Sequence, residues 1–335
     1  MKKTWLTNTL LILFSLVLGL ALIELGLRTY AYRGKVEYGL APHLKRWARY
    51  DPVLGWRNNP GVWEVDCERR PMTLLEDGTR KTRGQNPAAS KRVLLAGDSW
   101  VQGYGVRDEE SLASRLQERF SNVNFINLAT AGYGAHQSLL AVKDYQTRAK
   151  EGETLAVILG LASHTLMRDV ADYRWVKSLT TYAVVHFIPP HILPNPDGGW
   201  RAYPPETRNL WGWADRIDLL LLAQGIEIFF QTKGREAKFG LAASKAILRD
   251  FAALLTAQGA RLLVLNLDIA DPMSQEFSAA CLEIGVPFID GKVEAKSNDP
   301  AWFLHGDGCW GHPNERMQQV WAERLAPELQ KLGVH

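Results

Sequence analysis

Cysteine is scarce in this chain. Cys67, Cys281 and Cys309 are three in 335 residues, too few and too scattered for a disulfide framework or a zinc ribbon. An excess of one sign of charge is also missing: 39 Lys+Arg face 36 Asp+Glu, and a net +3 leaves no electrostatic footprint for a nucleic-acid binder. The 46% apolar and 22% charged shares are ordinary globular usage, which excludes a disordered chain, a collagen-like repeat and a polytopic membrane protein. A Gly-x-Ser-x-Gly elbow is absent, because Val101 stands where its last glycine would be. Gly103-Tyr-Gly105 and Gly132-Tyr-Gly134 fall short of the dinucleotide fingerprint, so no cofactor is expected.

What is present begins at the N-terminus. No charge occurs from Trp5 through Ile23, a run that spans roughly 28 Å as a helix, about one hydrocarbon core. Trp5 at one end and Tyr30 and Tyr32 beyond the other suit interfacial anchors. A signal peptide cut after Gly19-Leu20-Ala21 is the rival reading, but the apolar run continues past that site, so an uncleaved anchor is expected. Lys2 and Lys3 on one side are matched by Arg28, Arg33 and Lys35 on the other. The short leading tail therefore sets the expected orientation: a single pass through the cytoplasmic membrane, with the bulk of the chain on the extracytoplasmic, periplasmic side.

Beyond this anchor (residues 1–33) lies a lead-in (34–88) in which Trp47, Trp56 and Trp63 alternate with Pro, Gly and Arg, and Asp77-Gly78 predicts a hairpin turn. From residue 89 to 335 strands and helices alternate. The apolar runs predict strands at 93–96, 123–128, 155–161, 261–267 and 286–289. Helices are predicted near 109–120, 135–148, 241–258, 273–284 and 314–331. This rhythm predicts an α/β domain with a parallel sheet covered on both faces and its site at the carboxyl ends of the strands. The rhythm breaks at about 165–235, an insertion rich in Trp and Pro (Trp175, Trp200, Trp211, Trp213) with an amphipathic helix near 214–231. It is expected either to pack its own small core or to cap the site with aromatic faces for a sugar ring.

The residues after the strands carry the chemistry. Gly97-Asp98-Ser99 follows the first strand and places a serine at the sheet edge. After the second, Gly132 lets backbone approach a substrate closely enough for its N–H to meet an oxyanion; a simple turn glycine is the other reading. Late in the chain, His305-Gly-Asp307-Gly-Cys309-Trp-Gly-His312 supplies a base and a nearby acid, completing Ser…Asp…His in order. A metal site built from His305, Asp307, Cys309 and His312 competes, but the spacing matches no zinc signature, so no metal is expected.

In this order and after these strands, the pieces resemble the SGNH (GDSL-type) hydrolase superfamily over residues 90–164 and 240–333. Asp51-Pro-Val-Leu-Gly55-Trp56, Gly105-Val-Arg-Asp-Glu109 and Gly132-Tyr-Gly134 with Gln137 resemble its bacterial, membrane-anchored branch. The resemblance implies a flavodoxin-like three-layer α/β/α fold and ester hydrolysis or acyl transfer through a serine acyl-enzyme. It makes Ser99 the nucleophile and first oxyanion donor, Gly132 the second donor and His312 the base.

Two positions depart from the family pattern. The third-block Asn, an oxyanion donor, is missing from Gly160-Leu-Ala-Ser163-His164, so His164 or Ser163 is expected to replace it. The acid that normally precedes the histidine by three is Cys309, which leaves Asp307 or a Ser–His dyad. The implied partner is an acylated glycan or small ester outside the cytoplasmic membrane. The implied activity is an acyl, in particular acetyl, esterase; an O-acetyltransferase with the same Ser–His site and a catalytically silent glycan-binding protein are the alternatives.

Overall fold

The structure is a computed structural model describing residues 2–30, 47–65, 70–86, 88–149, 152–180, 186–208, 217–296, 299–306 and 311–335. It divides into two units: residues 1–44, 173–188 and 206–233 form one, and residues 45–172, 189–205 and 234–335 the other.

The larger unit is built on five strands: β5 (Lys91–Ala96), β6 (Asn124–Asn127), β7 (Glu153–Leu161), β12 (Arg261–Asn266) and β13 (Phe288–Asp290). Every pairing among them is parallel, in the order β13-β12-β7-β5-β6. Renumbered within the sheet this is 2-1-3-4-5, the flavodoxin-like order, whose winding reverses between β5 and β7.

Side-chain alternation in the strands feeds two cores. Val93 and Leu95 of β5 point to the face covered by α3 (Leu112–Arg119) and α10 (Glu315–Lys331), where Leu116, Trp321 and Leu325 are buried. Leu94 and Ala96 point to the other face, covered by α4 (Ala135–Arg148), α8 (Leu241–Ala257) and α9 (Met273–Glu283), with Val142, Phe251 and Phe277 buried. The result is the three-layer α/β/α arrangement, and the apolar runs were legible because these strands are buried on both faces.

The lead-in belongs to this unit as two antiparallel hairpins. One joins β1 (Ala48–Asp51) to β2 (Gly55–Asn58), the other β3 (Gly61–Val65) to β4 (Arg70–Leu74). The turn at Asp77-Gly78 forms with Gly78 at φ 85° and Leu75 N–H donating to Thr79 O at 2.8 Å. Arg80 then bridges to Asn127 at the end of edge strand β6. The lead-in thus extends the sheet edge.

The insertion is shared between the units. Its hairpin of β9 (His191–Pro194) and β10 (Trp200–Tyr203) packs Ile192, Leu193 and Trp200 against the core under α8. Trp200 is therefore spent on packing, while Trp211 and Trp213 lie outside the described residues. The smaller unit holds α1 (Lys2–Thr29), α6 (Tyr173–Thr180), the pair β8 (His186–Ile188) and β11 (Glu206–Arg208), and α7 (Asp218–Thr232). From Thr4 to Thr29, α1 is apolar enough to cross a membrane, with a mean hydropathy of 2.6 and none of that window buried.

Candidate active site

β5 ends at Ala96, and the chain turns through Gly97 into a single helical turn, α2 (Ser99–Gln102). The turn is tight for a steric reason. A Cβ on Gly97, at φ 152°, would lie 2.6 Å from Val101 Cγ2, and one on Gly160 of β7 only 2.2 Å from the same methyl. A glycine just past β5 and another within neighbouring β7 thus let α2 settle directly on the sheet edge at the point where the winding reverses. Asp98 caps it, accepting from Trp100 N–H at 2.9 Å, and Ser99 is its first residue.

Beyond α2 the loop is held by Arg80, whose buried guanidinium donates to the carbonyls of Gln102 (2.7 Å), Gly103 and Val106 (2.7 Å). Asp108 lies 3.5 Å from the same group. Burial lowers the Arg80 pKa to about 10 against the pull of Asp108, Glu110 and Glu109, so the group stays charged at neutral pH. Tyr104 N–H donates to Ser99 O at 2.9 Å, and its ring centroid lies 4.9 Å from that of His312.

His312 arrives from the other end of the chain. Leu304 N–H donates to its carbonyl at 2.7 Å, Phe303 bridges to Pro313, and Asn314 caps α10 by accepting from Arg316 and Met317 N–H. So anchored, its Nε2 stands 3.0 Å from Ser99 Oγ across 213 residues of sequence. Asp307 lies outside the described residues, as does Cys309. No group of three or more His, Cys, Asp or Glu side chains suited to a metal occurs among the described residues.

Gly132 sits in the turn after β6 at φ 86°, a left-handed conformation that glycine adopts without strain. Four contacts from the lead-in and its neighbours fasten that turn. Trp56 Nε1–H donates to Ala131 O (2.9 Å), Tyr133 O–H to Trp56 O, Gln137 Nε2–H to Leu54 O (2.8 Å), and Thr130 N–H to Gly97 O (3.1 Å). Neither Gly132 N–H nor Ser99 N–H has a protein acceptor among the described residues.

The two candidates for the missing donor are turned in different directions. Ser163 is exposed, and both its N–H and its Oγ (2.9 Å) donate to Asp268, just past the end of β12. His164 turns toward the residues that flank the nucleophile: its Nε2 contacts Asp98 Oδ2, and its ring stands edge-on to Trp100 at 5.8 Å. The ring therefore touches both sequence neighbours of Ser99. Its Nε2 is already engaged, so Nδ1 is the nitrogen left to face a ligand.

Sequence reasoning missed the ionic group beneath this site. Arg168 of α5 (Thr165–Asp169) donates from one nitrogen to Asp98 Oδ2 (3.1 Å) and to Tyr133 O (3.0 Å), tying the serine turn to the glycine turn. Burial alone would raise the Asp98 carboxyl. The His164 imidazole, the Arg168 guanidinium and the Trp100 N–H instead hold it well below the usual carboxylate range. An ionised carboxylate thus lies buried beside the nucleophile. The Asp of Gly-Asp-Ser was its visible signal; Arg168 had none, because it lies where the strand–helix rhythm breaks.

No protein-family model matches the chain, and no curated protein matches it. Among solved structures it is similar to TesA, at 14% identity and TM-score 0.41, over 72% of this chain and 99% of that one. It is also similar to the psychrotrophic esterase EstA of Pseudoalteromonas sp., inhibited by monoethylphosphonate (11%, 0.41, 72% and 97%). A carbohydrate acetylesterase family member from Sinorhizobium meliloti is a third (13%, 0.37, 72% and 98%). Strand order and side-chain geometry define the chain independently: a flavodoxin-like α/β fold with a serine–histidine pair at its topological switch point.

Proposed function

We propose that this chain is a membrane-anchored serine esterase of the SGNH type, removing acyl, in particular acetyl, groups from a cell-envelope glycan. The observation that carries this reading is the 3.0 Å approach of His312 Nε2 to Ser99 Oγ beside two unengaged N–H groups. In the mechanism, His312 takes the Oγ proton as Ser99 attacks the ester carbonyl, and the alcohol leaves with that proton. Water, activated by the same imidazole, then releases the acid and regenerates the serine. Ser99 N–H and Gly132 N–H receive the oxyanion. Asp307 is the sequence's candidate for orienting His312. The glycan assignment follows from the compartment, because α1 as an uncleaved anchor holds the catalytic unit where envelope polymers are exposed.

His164 takes the place of the absent asparagine. With Nε2 turned to the Asp98 carboxylate, Nδ1 is the ring nitrogen offered to the oxyanion. His164→Ala should lower kcat by about 10²–10³-fold, the usual cost of one oxyanion donor, whereas His164→Asn should retain more of it. Equal losses in kcat for both variants would remove His164 from this role.

Treatment of the full-length protein with an alkyl fluorophosphonate should give a single covalent adduct on the peptide containing Ser99, read by mass spectrometry. No adduct, or one at another residue, would exclude the acyl-enzyme route. An acetylated glycan incubated with the protein should release free acetate; acetyl appearing only on an added glycan acceptor would favour the transferase instead.

A further inference from the structure

The sequence pattern predicts a one-sided amphipathic helix near 214–231, but α7 is apolar on two opposite sides. At 100° per residue, Leu221, Ile228 and Thr232 fall on one side and are buried. Leu219, Leu222, Ala223, Ile226 and Phe230 fall within roughly 100° of arc on the other. Of these, Ile226 is 49% and Phe230 77% exposed, and the two leucines are half-buried. Glu227 and Gln231, hydrogen-bonded to each other at 2.8 Å, flank the outer stripe. A helix apolar on both sides belongs in a protein core or against lipid, and among the described residues this outer stripe faces no core.

The start of α7 is tied to α1. Glu24, just past the uncharged run of α1, accepts from Asp218 N–H (3.2 Å) and Leu219 N–H (2.9 Å), and from Arg28 Nε at 2.8 Å. One carboxylate of the span thus caps the first turn of α7. The apolar span of α1 is exposed, and its Glu24 meets α7 at the turn that carries Leu219 of the outer stripe. Past the other end, exposed Lys233 lies 4.7 Å over the Phe229 ring, placing a cation beside the apolar face. Arg174 and Lys177 are exposed on α6 of the same unit.

We propose that α7 is a second membrane-seated element: it lies in the interface of the bilayer that α1 spans. Ile226 and Phe230 sit among acyl chains, and the nearby lysines and arginines lie at anionic headgroups. This rests on the reading of α1 as an uncleaved anchor. A span alone leaves a domain free to swivel, whereas a span plus an interfacial helix joined at Glu24 holds the smaller unit against the membrane surface.

The test uses the full chain in vesicles of phosphatidylcholine and phosphatidylglycerol, with Cys67 and Cys309 replaced by serine and the buried Cys281 retained. A polarity-sensitive fluorophore is placed by Ile12→Cys, Ile226→Cys, Glu227→Cys or Phe230→Cys, one at a time. Acyl-chain spin-labelled lipid should quench labels at 12, 226 and 230 about two-fold or more above the label at 227, and aqueous iodide should show the reverse order. Iodide quenching at 226 and 230 as strong as at 227, with 12 still lipid-quenched, would overturn the seating of α7 and leave the anchor standing. Labels at 226 and 230 shielded from both quenchers would mean that protein, such as a second copy, covers the stripe, which also overturns it. Loss of lipid quenching at 12 as well would remove the anchor and this inference together.

Discussion

Ser99→Ala and His312→Ala should each lower turnover of p-nitrophenyl acetate by about 10⁴-fold or more while leaving the fold intact. The size follows from the reaction. Without Oγ no acyl-enzyme forms, and without the imidazole the serine loses the base that takes its proton. Only the oxyanion donors and substrate positioning then remain to accelerate attack by water. Stability should barely change, since Ser99 Oγ gives up one hydrogen bond, with His312, worth about 1 kcal/mol. Because the two residues act as one unit, the double variant should be no slower than either single one. Steady-state rates beside circular dichroism spectra of the three variants check this. A folded Ser99→Ala protein that keeps more than a small fraction of wild-type turnover would refute the mechanism.

Arg80→Met carries the largest expected cost in stability, about 3–5 kcal/mol, because it removes the charged partner from a buried ionic contact. Three carbonyls of the loop after α2, those of Gln102, Gly103 and Val106, would lose their donor inside the protein, and Asp108 would lose its cation. Methionine fills much of the side-chain volume, so the loss reports the missing guanidinium more than a cavity. The same loop holds Tyr104 against the His312 ring, so activity should fall along with stability. Arg80→Lys should recover only part of either, since one ammonium on a flexible stem does not reproduce the planar fork that reaches three acceptors. Thermal unfolding followed by circular dichroism should show the midpoint of Arg80→Met lowered by roughly 10 °C. A shift within a degree or two of wild type would show that the loop is held by other contacts.

Much of this architecture was legible in the chain itself, and the reason is local. The strands of the parallel sheet are buried on both faces, so each reads as an apolar run; β7, for instance, carries Leu155 to Leu161 directly after the polar Glu153 and Thr154. Helices α4, α8 and α10 show their apolar periodicity, and the asparagine that caps α10 stands two residues after His312. The uncharged run of α1 needs only its own length to be noticed. The candidate chemistry was likewise visible as single residues at strand ends, because a parallel sheet gathers those ends along one edge.

Only the tertiary structure decided how those residues meet. Ser99 and His312 are brought to 3.0 Å because the final strand–helix connection returns to the edge where β5 ends, a closure no local pattern encodes. The lead-in looked like an irregular preface. In space, Trp56 and the carbonyl of Leu54 fasten the turn that presents Gly132, joining the Asp51–Trp56 stretch to Gly132-Tyr-Gly134 and Gln137. The Asp98–His164–Arg168 group is also a product of folding alone: a buried carboxylate stays ionised only when polar partners from another strand end and another helix converge on it. Helix α7 shows the same limit from the other side. Its sequence predicted an amphipathic helix; that a second apolar side is left outside, and which side is buried, was decided by what packed beneath it.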